Sequence, residues 1–286
     1  MLVKRVLTAL ILAPLVISGI FLLPPAGFAF FIGAVLTISA FEWAYLCDFK
    51  LTGQVVYAAV TSLCLFCVVW LPAGISMPVA MVGVVWWLAA LVFVFRYPDL
   101  TFVWQNQWVR AGLGLLMMIP GYAALNVLKQ STDGNFWIFL LFMLVWSADV
   151  GAYFSGKLLG RRKLVPRVSP GKSWAGLYGG LVVALLFAGG LLTLKESTWF
   201  QSSTGIGLLA ACSVVILVSV LGDLTESMFK RHRGVKDSGR LLPGHGGMLD
   251  RIDGLLAASP VFVVLLYSIP GIVDIAQVAG FAGVEP

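Results

Sequence analysis

The chain has 286 residues, of which 60% are hydrophobic and only 11% charged. Its mean hydropathy of +0.97 excludes an ordinary water-soluble domain, whose apolar share is nearer half. The net charge of +6 is no nucleic-acid footprint, because the placement of the basic residues in loops accounts for it.

Apolar runs of about 18 or more residues span a bilayer, since lipid offers the backbone no hydrogen-bond partner except its own helix. Nine such runs are read, at roughly 6–23, 27–46, 55–71, 79–95, 111–128, 136–154, 176–194, 204–222 and 254–273. They predict an all-α polytopic integral membrane protein with about nine transmembrane helices. The first run follows Lys4 and Arg5 but is longer than a signal-peptide core and ends on no small-x-small site, so it reads as an uncleaved helix. Cys64 and Cys67 form a C-x-x-C within the third run with no other Cys or His nearby. They read as small apolar fillers, as do Cys47 and Cys212. Pro120 and Pro260 are placed to kink their helices.

With the N-terminus inside, the loops on its side hold Lys4, Arg5, Lys50, Arg96, Arg110, a group from Lys157 to Lys172 and another from Lys230 to Arg251. Only Lys129 and Lys195 fall on the other side, so 17 of the 19 basic residues share one face. That asymmetry predicts a cytoplasmic N-terminus and an external C-terminus. Residues 1–135 have short loops and read as an N-terminal transmembrane scaffold, with Glu42 its one notable intramembrane acid. Residues 136–286 collect the charges and read as a C-terminal transmembrane catalytic region whose site faces the cytoplasm.

Ionisable groups inside a membrane are costly enough to count as functional candidates. Asp149 lies near the end of the sixth run. Asp223, Glu226, Ser227 and Lys230 follow the eighth at i, i+3, i+4 and i+7, which stacks them on one helical face. Asp250 and Asp253 repeat the i, i+3 spacing where the last run begins. Hard oxygen ligands of this kind suit Mg²⁺, which takes one or two carboxylates together with substrate phosphates. Just before them, Gly244, Gly246 and Gly247 let backbone N–H groups approach an anion, and the helix N-terminus that follows is itself an anion site. Basic and acidic groups interleaved around a flexible turn point to a metal–polyphosphate site. Gly171-Lys172-Ser173 is no Walker motif, because Pro166 stands where the first glycine is required. Lys172 and Ser173 can still touch phosphate from a turn.

These residues carry a resemblance. Ser227, Lys230, Arg231, Lys236, Asp237, Pro243, His245, Gly246, Gly247, Asp250, Arg251 and Asp253 keep every spacing of the signature of the phosphatidate cytidylyltransferase (CDP-diacylglycerol synthase) family. The stretch from Asp149 to Gly176 is also similar to that family. The resemblance implies that CTP and phosphatidic acid give CDP-diacylglycerol and pyrophosphate with Mg²⁺, in the cytoplasmic (inner) membrane. It leaves a second, monovalent cation and a homodimer open, and it calls for a lipid bilayer and no nucleic acid. It implies catalytic roles for Asp223, Lys230, Lys236, Asp237, Asp250 and Asp253, with Asp223, Asp250 and Asp253 on the metal. Asp149, Lys172, Ser173, Ser227, Arg231, His245, Gly246, Gly247 and Arg251 would bind substrate. Two rivals stand beside this reading. A CDP-alcohol phosphotransferase would need an arginine where the run from Asp253 to Ala258 ends in alanine. A transporter of anionic solutes would use the charged cavity as its pathway.

Overall fold

The computed structural model describes residues 2–69, 73–196, 198, 203–242, 244, 246–269 and 272. Ten helices follow in order: α1 (Leu2–Leu22), α2 (Pro25–Leu46), α3 (Leu51–Val69), α4 (Ala73–Phe95), α5 (Thr101–Trp104), α6 (Gln107–Gln130), α7 (Gly134–Leu159), α8 (Trp174–Lys195), α9 (Ser203–Arg233) and α10 (Leu249–Tyr267). Between α7 and α8 lie two strands, β1 (Lys163–Val165) and β2 (Ser169–Ser173), paired antiparallel. Each of the nine apolar runs overlaps a helix of 19 to 31 residues. Among the described residues, seven helices (α2, α3, α4, α6, α7, α8 and α9) are long and apolar enough to cross a membrane. Among the described residues α1 contributes a shorter apolar stretch, Leu10–Leu22, and α10 opens on Asp250, Arg251 and Asp253. The perimeter confirms an apolar surrounding: Leu63, Val85, Leu88, Leu186 and Ile206 are 63–74% exposed, which water would penalise.

Lipid supplies no hydrophobic drive between helices, so close backbone packing through small residues takes its place. The α7–α8 pair shows this, with Gly151 against Gly179 and Gly180, and Gly156 against Gly176. Pro120 and Pro260, read as kink positions, lie within continuous helices and converge on Gly83, whose missing side chain lets α6 and α10 meet α4. One buried core runs from Ile20 to Leu266, so the chemical difference between residues 1–135 and the rest is not a packing boundary.

Polar contacts sort to two ends. At one end Lys129 donates to Ile20 O at 2.5 Å and Asn135 Oδ1 at 2.6 Å, and Lys195 pairs with Asp133 at 2.7 Å. At the other, Asp48 receives Arg110 at 2.7 Å and Arg233 at 2.9 Å, which ties the α2–α3 turn to the end of α9. The two basic residues set apart by the loop count thus share one end. The four cysteines are free thiols.

Candidate active site

A helix of 31 residues is about 46 Å long at 1.5 Å per residue, well beyond the ~30 Å hydrocarbon core. About 20 residues fill such a core, so α9 is longer than a crossing requires, and the acid–base stripe from Asp223 to Lys230 lies toward its end. Its predicted contacts form: Ser227 donates to Asp223 Oδ1 at 3.1 Å, and Lys230 donates to Glu226 Oε2 at 3.1 Å.

The stripe meets the first turn of α10. Gly222 makes this close approach feasible, since a Cβ there would lie 2.4 Å from the Asp253 carbonyl oxygen. Lys230, its side chain 10% exposed, reaches across to Asp250 Oδ1 at 2.5 Å and so bridges the two helices. Asp253 faces Asp223 and Glu226. Glu226 is fully buried and lies against the Asp253 carboxyl, and among the described residues no N–H donor reaches its Oε1.

The β1–β2 hairpin delivers the remaining cation. Strands of three and five residues are too short to show a period-two pattern, and Pro166 and Pro170 make this stretch read as loop. Val165 and Val168 nonetheless bury themselves beneath it. Arg231 Nε donates to Val168 O at 3.2 Å and holds the hairpin against α9. Lys172 at the end of β2 then reaches Asp223 Oδ2 at 2.7 Å. Burial favours the neutral lysine, but Asp223 beside it, with Asp149 and Asp253, outweighs that and raises its pKa above the ordinary value. Lys172 is a fixed cation at any physiological pH.

These groups line a cavity of about 690 Å³. Asp149, Asp223, Lys230, Asp250, Arg251 and Asp253 form its polar floor. Leu12, Leu15 and Val16 of α1, Phe31 and Val35 of α2, and Phe142 and Trp146 of α7 form an apolar arm. A charged floor joined to an apolar arm fits an amphiphile with an anionic head.

The sequence profile of the Cytidylyltransferase family matches residues 3–269. The chain belongs to that family. A phosphatidate cytidylyltransferase of Pseudomonas aeruginosa is 48% identical over 269 residues, covering 94% of this chain and 98% of the relative. One of Haemophilus influenzae is 40% identical over 281 residues, covering 92% and 97%. One of Brucella suis is 46% identical over 155 residues, about half of each chain.

For a member of the cytidylyltransferase family, the structure brings several of the expected residues together. Asp149, Asp223, Lys230, Asp250, Arg251 and Asp253 line the cavity, with Lys172 and Ser227 paired to Asp223. Asp237 lines both this cavity and a second of about 680 Å³, which Lys236 and Arg240 also line. His245 and Pro243 lie outside the described residues. Ser173 is 4% exposed, and its Oγ accepts from Gly176 N at 3.1 Å as the cap of α8. Arg231 is occupied with carbonyls of the hairpin and of Val235.

In the glycine turn, the Gly247 N–H and the two amides that follow it are engaged by the chain's own carboxylates. Gly247 N donates to Asp250 Oδ2 at 2.8 Å, Met248 N to Glu42 Oε1 at 3.0 Å and Leu249 N to Glu42 Oε2 at 2.8 Å. The N-terminus of α10 is an anion site, and the chain's own carboxylates fill it. Gly246, at φ +81°, supplies the left-handed turn and accepts from Leu242 N at 2.9 Å. Glu42 is the site residue that spacing did not reveal. Glu226 belonged to the visible stripe, whereas Glu42 is 207 residues from its partner Leu249.

The donor set fits a divalent cation, with a restriction. Asp149, Asp223, Glu226, Asp250 and Asp253 outnumber Lys172, Lys230 and Arg251, and all offer hard oxygens. Among the described residues no three acidic, histidine or cysteine side chains form a ready ion cage, so substrate phosphates would complete the coordination. Asp250 fits this role least. Its Oδ1 takes Lys230 and its Oδ2 takes Gly247 N and Ser238 N.

Proposed function

We propose that this chain joins CTP to phosphatidic acid, giving CDP-diacylglycerol and pyrophosphate, at the cytoplasmic face of a bacterial inner membrane. The observation that carries the reading is a cavity in which an apolar arm opens onto a floor of carboxylates with Lys230 and Arg251, and Lys172 paired to one of those carboxylates. The diacyl chains occupy the arm between α1, α2 and α7, and the lipid phosphate lies on the floor. That phosphate has a second pKa of about 6 and is largely dianionic at neutral pH. One of its oxygens forms the new bond to the CTP α-phosphorus, while the bond to the bridging oxygen of the β-phosphate breaks and pyrophosphate departs. No protein base or covalent nucleophile is required.

The task of the chain is to align two mutually repelling anions and to offset the charge on the leaving group. Lys172 and Lys230 supply fixed positive charge, and each is oriented by a carboxylate partner. Asp223 and Asp253, with Glu226 behind them, would hold Mg²⁺, which when bound neutralises phosphate charge. Residues 1–135 act chiefly as scaffold and 136–286 carry most of the chemistry. Lys236 and Asp237 stand at the rim, where the triphosphate enters.

Purified protein in detergent should convert CTP and phosphatidic acid to the liponucleotide, with release of pyrophosphate, and should discriminate against ATP. A transporter would show no turnover without a sealed compartment. Orientation has its own test, in a background lacking the native cysteines. An impermeant thiol reagent added from outside should label a cysteine at position 195 and spare one at position 162. The reverse pattern overturns the cytoplasmic site.

A further inference from the structure

We propose that Glu42 is a positioning residue for this reaction. From α2 it acts as the N-cap of α10 and fixes the turn that presents Asp250 and Asp253. The inference rests on the proposed reaction for its kinetic arm only.

The N-cap position of α10 is Met248, whose side chain makes no capping hydrogen bond. An uncapped helix start leaves its first N–H groups without partners. Glu42 takes that place from a distant part of the chain. It is 5% exposed, and its Oε1 accepts from Met248 N while its Oε2 accepts from Leu249 N and from Ser238 Oγ at 3.2 Å. One carboxylate thus binds both the start of α10 and the segment that follows α9. The glycines of the turn are shaped around it. A Cβ on Gly239 would lie 2.2 Å from Glu42 Oε1, and one on Gly247 would lie 2.5 Å from Glu42 Oε2.

All three partners of Glu42 donate, so both its oxygens must accept. Glutamine keeps the shape but offers one oxygen and one NH₂, and therefore sets a donor against a donor on one side. Asp250 shares the turn, since its Oδ2 accepts from Ser238 N and Gly247 N. Loosening Glu42 therefore loosens the aspartate that orients Lys230, although Glu42 itself does not line the larger cavity.

The test is Glu42→Gln in the full-length protein in detergent, read by amide hydrogen exchange and by steady-state kinetics. Exchange over residues 236–252 should accelerate while the other helices keep their protection. Turnover should fall on the order of 10- to 100-fold, as for residues that orient a site from behind it, with KM for CTP changed less than about threefold. Ser238→Ala, which removes one of the three donors, should move both readouts in the same direction by less. The double variant should show less than the sum of the two effects. Wild-type exchange in Glu42→Gln overturns the proposal, and so does faster exchange with unchanged turnover, which would make Glu42 purely structural. If Glu42→Gln does not fold, Ser238→Ala with wild-type exchange and turnover overturns it. Absence of wild-type turnover with CTP and phosphatidic acid sinks the proposed reaction instead, and the exchange arm still decides whether Glu42 holds the turn.

Discussion

On the side of α10 that faces α2, the carboxylates of Glu42 and Asp250 are supplied with donors: three backbone amides at 2.8–3.1 Å and Met248 N at 3.0 Å, together with Ser238 Oγ and Lys230. On the side that faces α9, Asp253 looks toward Asp223 and Glu226, and these three carboxylates crowd one another while taking donors from Lys172, Ser227, Gly254 N and Lys230. Uncrowded acids build the turn, and the crowded ones are where a cation arriving with the substrate would relieve repulsion. Fold and chemistry thus divide two faces of one helical turn.

Lys230 joins those two faces, and its removal should have the largest effect. Lys230→Met leaves Glu226 and Asp250, 0% and 6% exposed, without their shared cation. Stranding buried charge of this kind costs about 3–5 kcal/mol, so the thermal midpoint in detergent should fall steeply and turnover should vanish. A near-normal midpoint would show that the acids do not depend on this lysine.

The crowded side is tested next. Asp253→Asn should lose on the order of a hundredfold in turnover, with a melting profile close to wild type, and raised Mg²⁺ or added Mn²⁺ should restore part of the rate. Asp250→Asn should also lose rate, but metal should not restore it and exchange in the turn should rise. Equal metal rescue of both variants would erase the distinction between the faces. On the uncrowded side, Gly247→Ala places a methyl 2.2 Å from Ser238 Oγ and 2.5 Å from Glu42 Oε2. Overpacking of this sort costs about 1–3 kcal/mol, visible as a lower midpoint and slower turnover. The smallest effect belongs to the far end of the bundle. Lys195→Ala breaks a pair with Asp133 whose side chains are 31% and 47% exposed, worth about 0–1 kcal/mol, and kinetics should not change.

What the sequence made legible was whatever repeats or sits close along the chain. Hydropathy runs marked the long helices, and the spacing from Asp223 to Lys230 marked a face whose contacts form as expected. Asp250 and Asp253 were likewise visible from their spacing and their glycines. The hairpin was not, because three- and five-residue strands carry no period. Ser173 looked like a phosphate ligand because a lysine and a glycine precede it, and its Oγ also caps the start of α8. The role of Glu42 was hidden for a different reason. A contact across some 200 residues leaves no mark on local spacing, and only the fold shows that the anion site of α10 is met from within.

The length of α9 carries a last consequence. Its acidic stripe is phased against α10 by a continuous helix that starts at Ser203, with Gly222 seated on the Asp253 carbonyl. One residue inserted between 205 and 220 would advance everything beyond it by about 1.5 Å and turn it by about 100°. Gly222 would then be replaced at the crossing by a residue with a side chain, and Asp223 would swing out of register with both Lys172 and Asp253. The membrane-crossing part of α9 therefore works as a ruler as well as an anchor: its residue count sets the depth and the azimuth of the chemistry at its end.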